Sequence, residues 1–211
     1  MAQDAAAFIV GGSVPECDGS SHIYNTCAVY SPQGELLAFH RKMHLFDINV
    51  PGGMSFHESD TLSAGNQITI VDLEGYGKIG LGICYDMRFV EPSMIAARRG
   101  VFALVYPSAF NTTTGPLHWE LLGRARAVDN QVYTILCSQS REPDSSYPAW
   151  GHSMVTDPMG QVIAGTNESE DIVYALLNPE TIKQSQMAIP ITYQRRHDVY
   201  PDIAKLAQPD K

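Results

Sequence analysis

The chain has no cluster of lysines and arginines, no long hydrophobic run, no Cys-x-x-Cys pair and no low-complexity tract. Each absence argues against a class of protein. With 14 Lys and Arg against 23 Asp and Glu, the net charge is −9. A nucleic-acid partner is therefore not expected, because displacing counterions from a polyanion needs a basic surface. The longest apolar stretches, such as Val101 to Tyr106, fall far short of the roughly 20 residues that cross a bilayer. No membrane association is expected. The start, Met1-Ala2-Gln3-Asp4-Ala5-Ala6-Ala7, lacks the basic and apolar regions of a secretory signal.

Cys17, Cys27, Cys84 and Cys137 are widely spaced, so they read as reduced thiols in the cytoplasm rather than a disulfide framework. His40 and His44 stand four apart, but no helical pattern surrounds them, and a metal site is not expected. What is present suits an ordinary core. Hydrophobic residues make up 44% of the 211 positions and charged ones 18%, which predicts one domain over residues 1–211.

Short strand-like runs alternate with helical ones. Phe8 to Val14 reads as a strand. Tyr24 to Tyr30 and Leu36 to Lys42 flank the turn Ser31-Pro32-Gln33-Gly34-Glu35 and predict a hairpin. His44 to Asn66, which contains Pro51-Gly52-Gly53, reads as a long loop of the kind that carries function. A second hairpin is predicted over Gln67 to Leu73 and Gly77 to Ile83, and a helix over Glu91 to Arg99, closed by Gly100. Val101 to Tyr106 is apolar throughout and reads as a buried central strand. A helix over His118 to Asn130, a strand over Val132 to Ser138 and a hairpin over His152 to Ala164 follow. A last strand is predicted at Asp171 to Leu177, before a helix capped by Asn178 with Pro179 at its first position. The fold class is α/β with a mixed sheet and room for a two-sheet core.

Cys84 is the leading catalytic candidate. It ends the glycine-rich strand Gly80-Leu81-Gly82-Ile83 and shortly precedes a helix, with Asp86, Arg88 and Glu91 close behind. A thiolate is the reactive form of cysteine, so chemistry needs surroundings that lower the thiol pKa and expose the sulfur. Gly80 and Gly82 are expected to let the backbone turn and a substrate approach. A strand-to-helix elbow also aims backbone N–H groups at a developing oxyanion, here that of Tyr85. Lys42, where a hairpin strand enters the long loop, is a candidate to lower the thiol pKa and donate to the oxyanion. Glu58 is a carboxylate that could hold that lysine. Cys17, Cys27 and Cys137 read as structural.

These stretches together resemble the nitrilase superfamily of carbon–nitrogen hydrolases, and within it the omega-amidase branch, which deamidates 2-oxoglutaramate and 2-oxosuccinamate. The likeness rests on Tyr24-Asn25-Thr26, Arg41-Lys42-Met43-His44-Leu45-Phe46-Asp47 and Gly80 to Phe89. It continues through Tyr106-Pro107-Ser108-Ala109-Phe110-Asn111, Thr114 to Trp119, Arg124 to Gln131, Gly151-His152-Ser153 and Gln194 to Tyr200. The resemblance implies an α-β-β-α sandwich that dimerises with itself, a Glu-Lys-Cys triad, a small-molecule amide substrate, and no metal or organic cofactor. Lys42 matches the family lysine, Cys84 the nucleophile that forms a thioester, and Glu58 a second glutamate that orients lysine and substrate. Tyr85 matches the oxyanion-hole amide. Arg88 matches an arginine that holds the substrate carboxylate, a task that suits its guanidinium fork, and Phe110 matches a pocket aromatic.

One departure stands out. The family's general-base glutamate precedes the stretch that begins here at Phe8, and Glu16, the first glutamate in the chain, matches no catalytic position. The first strand and helices of the fold also have no counterpart, so the expectation is an N-terminally incomplete domain with apolar sheet surface uncovered. Loss of a general base typically costs about 10²–10⁴-fold in rate. The alternative reading is thus a catalytically impaired fragment that acts by association. A papain-like Cys–His site, with His118 or His152 as base, is a third and weaker reading.

Overall fold

The computed structural model describes residues 1–49, 55–142 and 144–202. The Pro51-Gly52-Gly53 segment of the predicted loop lies outside the described residues. A short helix, α1 (Ala2–Ala5), precedes a four-stranded antiparallel sheet of β1 (Ile9–Val10), β2 (Val14–Cys17), β3 (Ile23–Tyr30) and β4 (Leu36–Arg41). β3 is its centre, pairing β4 on one side, with β2 along its first half and β1 along its end on the other. The predicted Phe8–Val14 strand is thus broken in two. Gly12, at φ +73°, turns the chain between the halves in a conformation that favours glycine.

The expected long loop is partly ordered by pairing. β5 (Asp47–Asn49) and β6 (Ser55–His57) form a small hairpin, and a 3-10 turn, Glu58–Asp60, follows. The second large sheet holds β7 (Ile70–Leu73), β8 (Gly77–Leu81), β9 (Val101–Ser108), β10 (Tyr133–Ser138), β11 (Met154–Thr156) and β12 (Val162–Gly165), in the order β12-β11-β10-β9-β8-β7. β8, β9 and β10 are mutually parallel and the outer pairs antiparallel. Parallel neighbours need crossovers. These are a 3-10 turn at Cys84–Arg88 with α2 (Val90–Arg98), and then α3 (Gly115–Asn130).

Alternation along β9 builds both faces of the core. Leu104 and Tyr106 join Met87, Ala96, Trp119 and Leu136 beneath the helices. Ala103 and Val105 point the other way, joining Val71, Ile79 and Leu81 against Val29 of the four-stranded sheet. Sheet on sheet, with helices outside the larger one, gives three of the four layers of the α-β-β-α sandwich. The outer side of the smaller sheet exposes apolar residues, among them Leu37 and Phe39, at 40% and 49%.

Two predictions need correction. Asp171–Leu177 is not a strand. Leu177 packs against the inter-sheet core, but Ile172, Tyr174 and Leu176 stay exposed, and no strand pairs with them among the described residues. Apolar β-branched sequence becomes a strand only where a neighbour takes its ladder bonds. Gly80 and Gly82 serve packing rather than substrate approach. A Cβ on Gly80 would meet Ala96 Cβ at 2.9 Å, and one on Gly82 would meet Tyr106 Cε1 at 2.6 Å. The final predicted helix is α4 (Pro179–Ala188), where the Asn178 side chain accepts from Glu180 N at 3.0 Å. A last turn, α5 (Ile191–Gln194), follows it.

Because the Tyr106 ring is held inside the core, Gly82→Ala is expected to cost about 1–3 kcal/mol through overpacking. Urea denaturation checks this, and an unchanged midpoint would refute the packing assignment.

Candidate active site

Cys84 sits just beyond the C-terminal end of β8, the outer strand of the parallel trio β10-β9-β8. Its φ is +48°, a left-handed conformation that costs a non-glycine residue free energy and is held only by strong surrounding contacts. The elbow is therefore real, but the strained residue is the cysteine itself and not the flanking glycines. Tyr85 is the second residue of the 3-10 turn Cys84–Arg88, where first-turn N–H groups have no acceptor upstream within the turn.

Lys42 follows directly after β4 on the opposing sheet. Its amide donates to Asn25 O at 2.8 Å, and its carbonyl accepts from Gly65 N at 2.8 Å. The ammonium is 3% exposed and donates to Glu58 Oε2. The same oxygen accepts from Phe46 N at 2.6 Å. Burial of a lone charge is costly, so the lysine, the carboxylate and the loop amide form one closed unit. Glu16 is elsewhere. It accepts from Arg41 Nη2 at 2.6 Å and Thr26 Oγ1 at 2.6 Å, outside the cavity, in keeping with its having no catalytic match.

All six sequence-predicted site residues, Cys84, Lys42, Glu58, Tyr85, Arg88 and Phe110, line a single cavity of about 490 Å³. Among the described residues Glu58 is its only carboxylate. Arg88 enters at 3.1 Å from His118 Nδ1, with its guanidinium 4.9 Å from the Phe110 ring centroid and 5.7 Å from that of Tyr85. No described residue forms a salt bridge with it. Phe110 is buried and packs edge-on to Trp119 at 5.1 Å.

Other lining residues were missed by sequence reasoning. Gly11, Gly12 and Ser13 reach the cavity through the break between β1 and β2. Two adjacent glycines after a short apolar run were the available signal. Tyr147 lines it from the far loop, donates to Ala109 O at 2.9 Å, and has its phenol pushed up to about 12 chiefly by burial. Cys137 is exposed and lines the cavity too, and Cys17 is also exposed. Only Cys27 is the buried structural thiol expected, with burial raising its pKa to about 12. The histidines of the papain-like reading are committed elsewhere. His118 meets Arg88, while His152 stacks on Trp150 and lies 3.7 Å from Glu168, and neither lines the cavity.

Electrostatically the thiol is contested. Burial pushes Cys84 above its usual range, while the Lys42 ammonium and the Ala109 backbone pull it down. Glu58 and Asp86 add smaller upward contributions.

Comparison with known proteins shows the family to which the chain belongs. The family model described as carbon–nitrogen hydrolase matches residues 1–187. The omega-amidase NIT3 of Saccharomyces cerevisiae is 54% identical over 204 residues, covering 96% of this chain and 70% of the relative. Human omega-amidase NIT2 is 50% identical over 200 residues, 95% of this chain and 72% of the relative. The crystal structure of yeast Nit3, described as a nitrilase-superfamily member, superposes with a TM-score of 0.83 at 51% identity, over 92% of this chain and 69% of that one. The Caenorhabditis elegans NitFhit structure gives 0.88 at 35% identity, over 95% of this chain and 49% of that one. The chain belongs to the carbon–nitrogen hydrolases of the nitrilase superfamily.

Since a thiol reacts as thiolate, alkylation of Cys84 by iodoacetamide, followed on its peptide by mass spectrometry, is expected to reach half its maximal rate above the usual thiol pKa near 8.5. Lys42→Met removes the main downward influence and should move that midpoint higher still. A midpoint at or below the ordinary value would contradict the balance described.

Proposed function

We propose that this chain hydrolyses a small omega-amide of the 2-oxoglutaramate or 2-oxosuccinamate type to the acid and ammonia. The observation that carries the reading is a thiol, a buried lysine–carboxylate pair and a guanidinium without an acidic partner among the described residues, all facing one cavity. Relatives at 50–54% identity that carry the name omega-amidase support it.

In this reading Arg88 receives the substrate carboxylate through paired charge-assisted hydrogen bonds. Phe110 packs against the carbon chain, which leaves the amide end toward Cys84. The sulfur attacks the amide carbon, and its proton passes through the Lys42–Glu58 pair to the departing nitrogen. Ammonia leaves, and a thioester remains on Cys84. The Tyr85 N–H and the Lys42 ammonium hold the oxyanion in each tetrahedral intermediate. Water then adds to the thioester carbon and returns the thiol and the acid. No metal or organic cofactor enters this sequence.

The same proposal includes a homodimer in the cytoplasm, with mitochondria as the alternative compartment, within glutamine and asparagine metabolism. Leu117, Leu121 and Val128 leave an exposed apolar stripe along α3, a face suited to a second copy. The four free cysteines suit a reducing compartment.

Ammonia release from 2-oxoglutaramate, with Cys84→Ser as control, tests the chemistry. Activity abolished by that change is expected, and a folded but inert chain would overturn the proposal. Arg88→Lys should raise KM roughly 10- to 100-fold, the equivalent of about 1.5–3 kcal/mol for a lost charged hydrogen bond, with a smaller effect on kcat. For the dimer, Leu121→Glu is expected to halve the mass seen by light scattering, and a monomeric parent chain would refute it.

A further inference from the structure

The catalytic assignment leaves Asp86 without a role, although it is among the least exposed charged residues of the chain, at 2%. Its two oxygens face four donors. Oδ2 accepts from Ile83 N at 2.9 Å and lies 3.2 Å from His40 Nε2. Oδ1 accepts from His44 N at 2.9 Å and lies 2.7 Å from His44 Nδ1. His40 is itself fully buried, its Nδ1 3.1 Å from Thr69 Oγ1, and His44 stacks on Phe89 at 3.7 Å.

The positions of these donors carry the inference. Ile83 is the residue before Cys84, where the backbone turns into its strained left-handed conformation. His40 and His44 stand two residues to either side of Lys42. Cys84 belongs to the larger sheet and Lys42 to the smaller, and nothing in the hydrogen-bond ladders of either sheet fixes one against the other. We infer that Asp86 is a positioning residue: its buried carboxylate pins the nucleophile's elbow to both flanks of Lys42, and so sets the distance between thiol and ammonium. This rests on the reading of Cys84 and Lys42 as the reacting pair. Burial alone would raise the Asp86 pKa, yet the hydrogen bonds from His40, His44 and the Ile83 amide outweigh it and keep the group ionised.

Asn in place of Asp keeps the shape but puts an NH₂ where one oxygen stood, facing donors instead of accepting from them. One side of the clamp is then lost. Two effects on Cys84 oppose each other. Removing a nearby negative charge, by itself, favours the thiolate and lowers its pKa. Letting Lys42 drift away raises it. The other groups acting on the thiol, Glu58 and the Ala109 amide, are unaltered.

The experiment compares Asp86→Asn with the parent chain and Cys84→Ser. It reads kcat and KM for 2-oxoglutaramate together with the pH midpoint of Cys84 alkylation. The expected result is a kcat lower by roughly 10–100-fold, a KM within about twofold, and an alkylation midpoint that rises. A midpoint that falls or stays put overturns the inference, as does a kcat loss without the rise, which marks general loosening. If Asp86→Asn does not fold, His44→Ala removes one side-chain donor at a half-buried position, and it should show the same signs at smaller amplitude. No shift there overturns the inference equally. Full activity in Cys84→Ser would instead sink the assignment of the nucleophile. An inert Cys84→Ser beside an unaltered Asp86→Asn sinks only the role of Asp86.

Discussion

The Lys42 ammonium and the Glu58 carboxylate are buried against each other, and the site depends on their staying paired. Separating them would leave a buried charge without its counter-ion, at a cost of several kcal/mol. The pair therefore draws the end of β4, the Phe46 amide and the Glu58–Asp60 turn into one unit. That unit forms one wall of the cavity. The opposite wall comes from the parallel strands, so the cavity exists only because two sheets meet.

What brings the sheets together is ordinary apolar burial. Val29 packs against Val71, Ile79 and Val105, while alternate residues of β9 turn to the helices. Each buried side chain of this kind contributes about 1.5–3 kcal/mol. Close packing has a second consequence. Gly80 and Gly82 leave no room for a Cβ beside Ala96 and Tyr106, so β8 packs closely at the base from which the chain turns into Cys84.

The electrostatics at the thiol follow from the same burial. Desolvation favours the neutral thiol, and only the nearby lysine and a backbone amide oppose it. A site of this kind keeps one strong positive charge near the reacting atom, where partial desolvation magnifies its effect on a developing oxyanion.

Much of this was legible in residue order. The apolar run at β9, the turn residues between β3 and β4 and the Asn178-Pro179 cap are local signals, and they hold because local backbone preferences and tertiary packing agree there. Cys84 stood out by its place at a strand end, and the ordered motifs tied Lys42, Glu58, Tyr85, Arg88 and Phe110 to it. Other features were beyond reach. The segment 171–177 has strand-like composition, but pairing makes a strand, and pairing is not written in composition. Gly11 to Ser13, Cys137 and Tyr147 enter the cavity from distant parts of the chain. The four donors around Asp86 come from residues 40, 44 and 83. The sequence by itself determined which residue types are available and where helices and most strands begin. Only the tertiary structure decided which of them face one another, because those contacts form when separate sheets close over shared apolar surface.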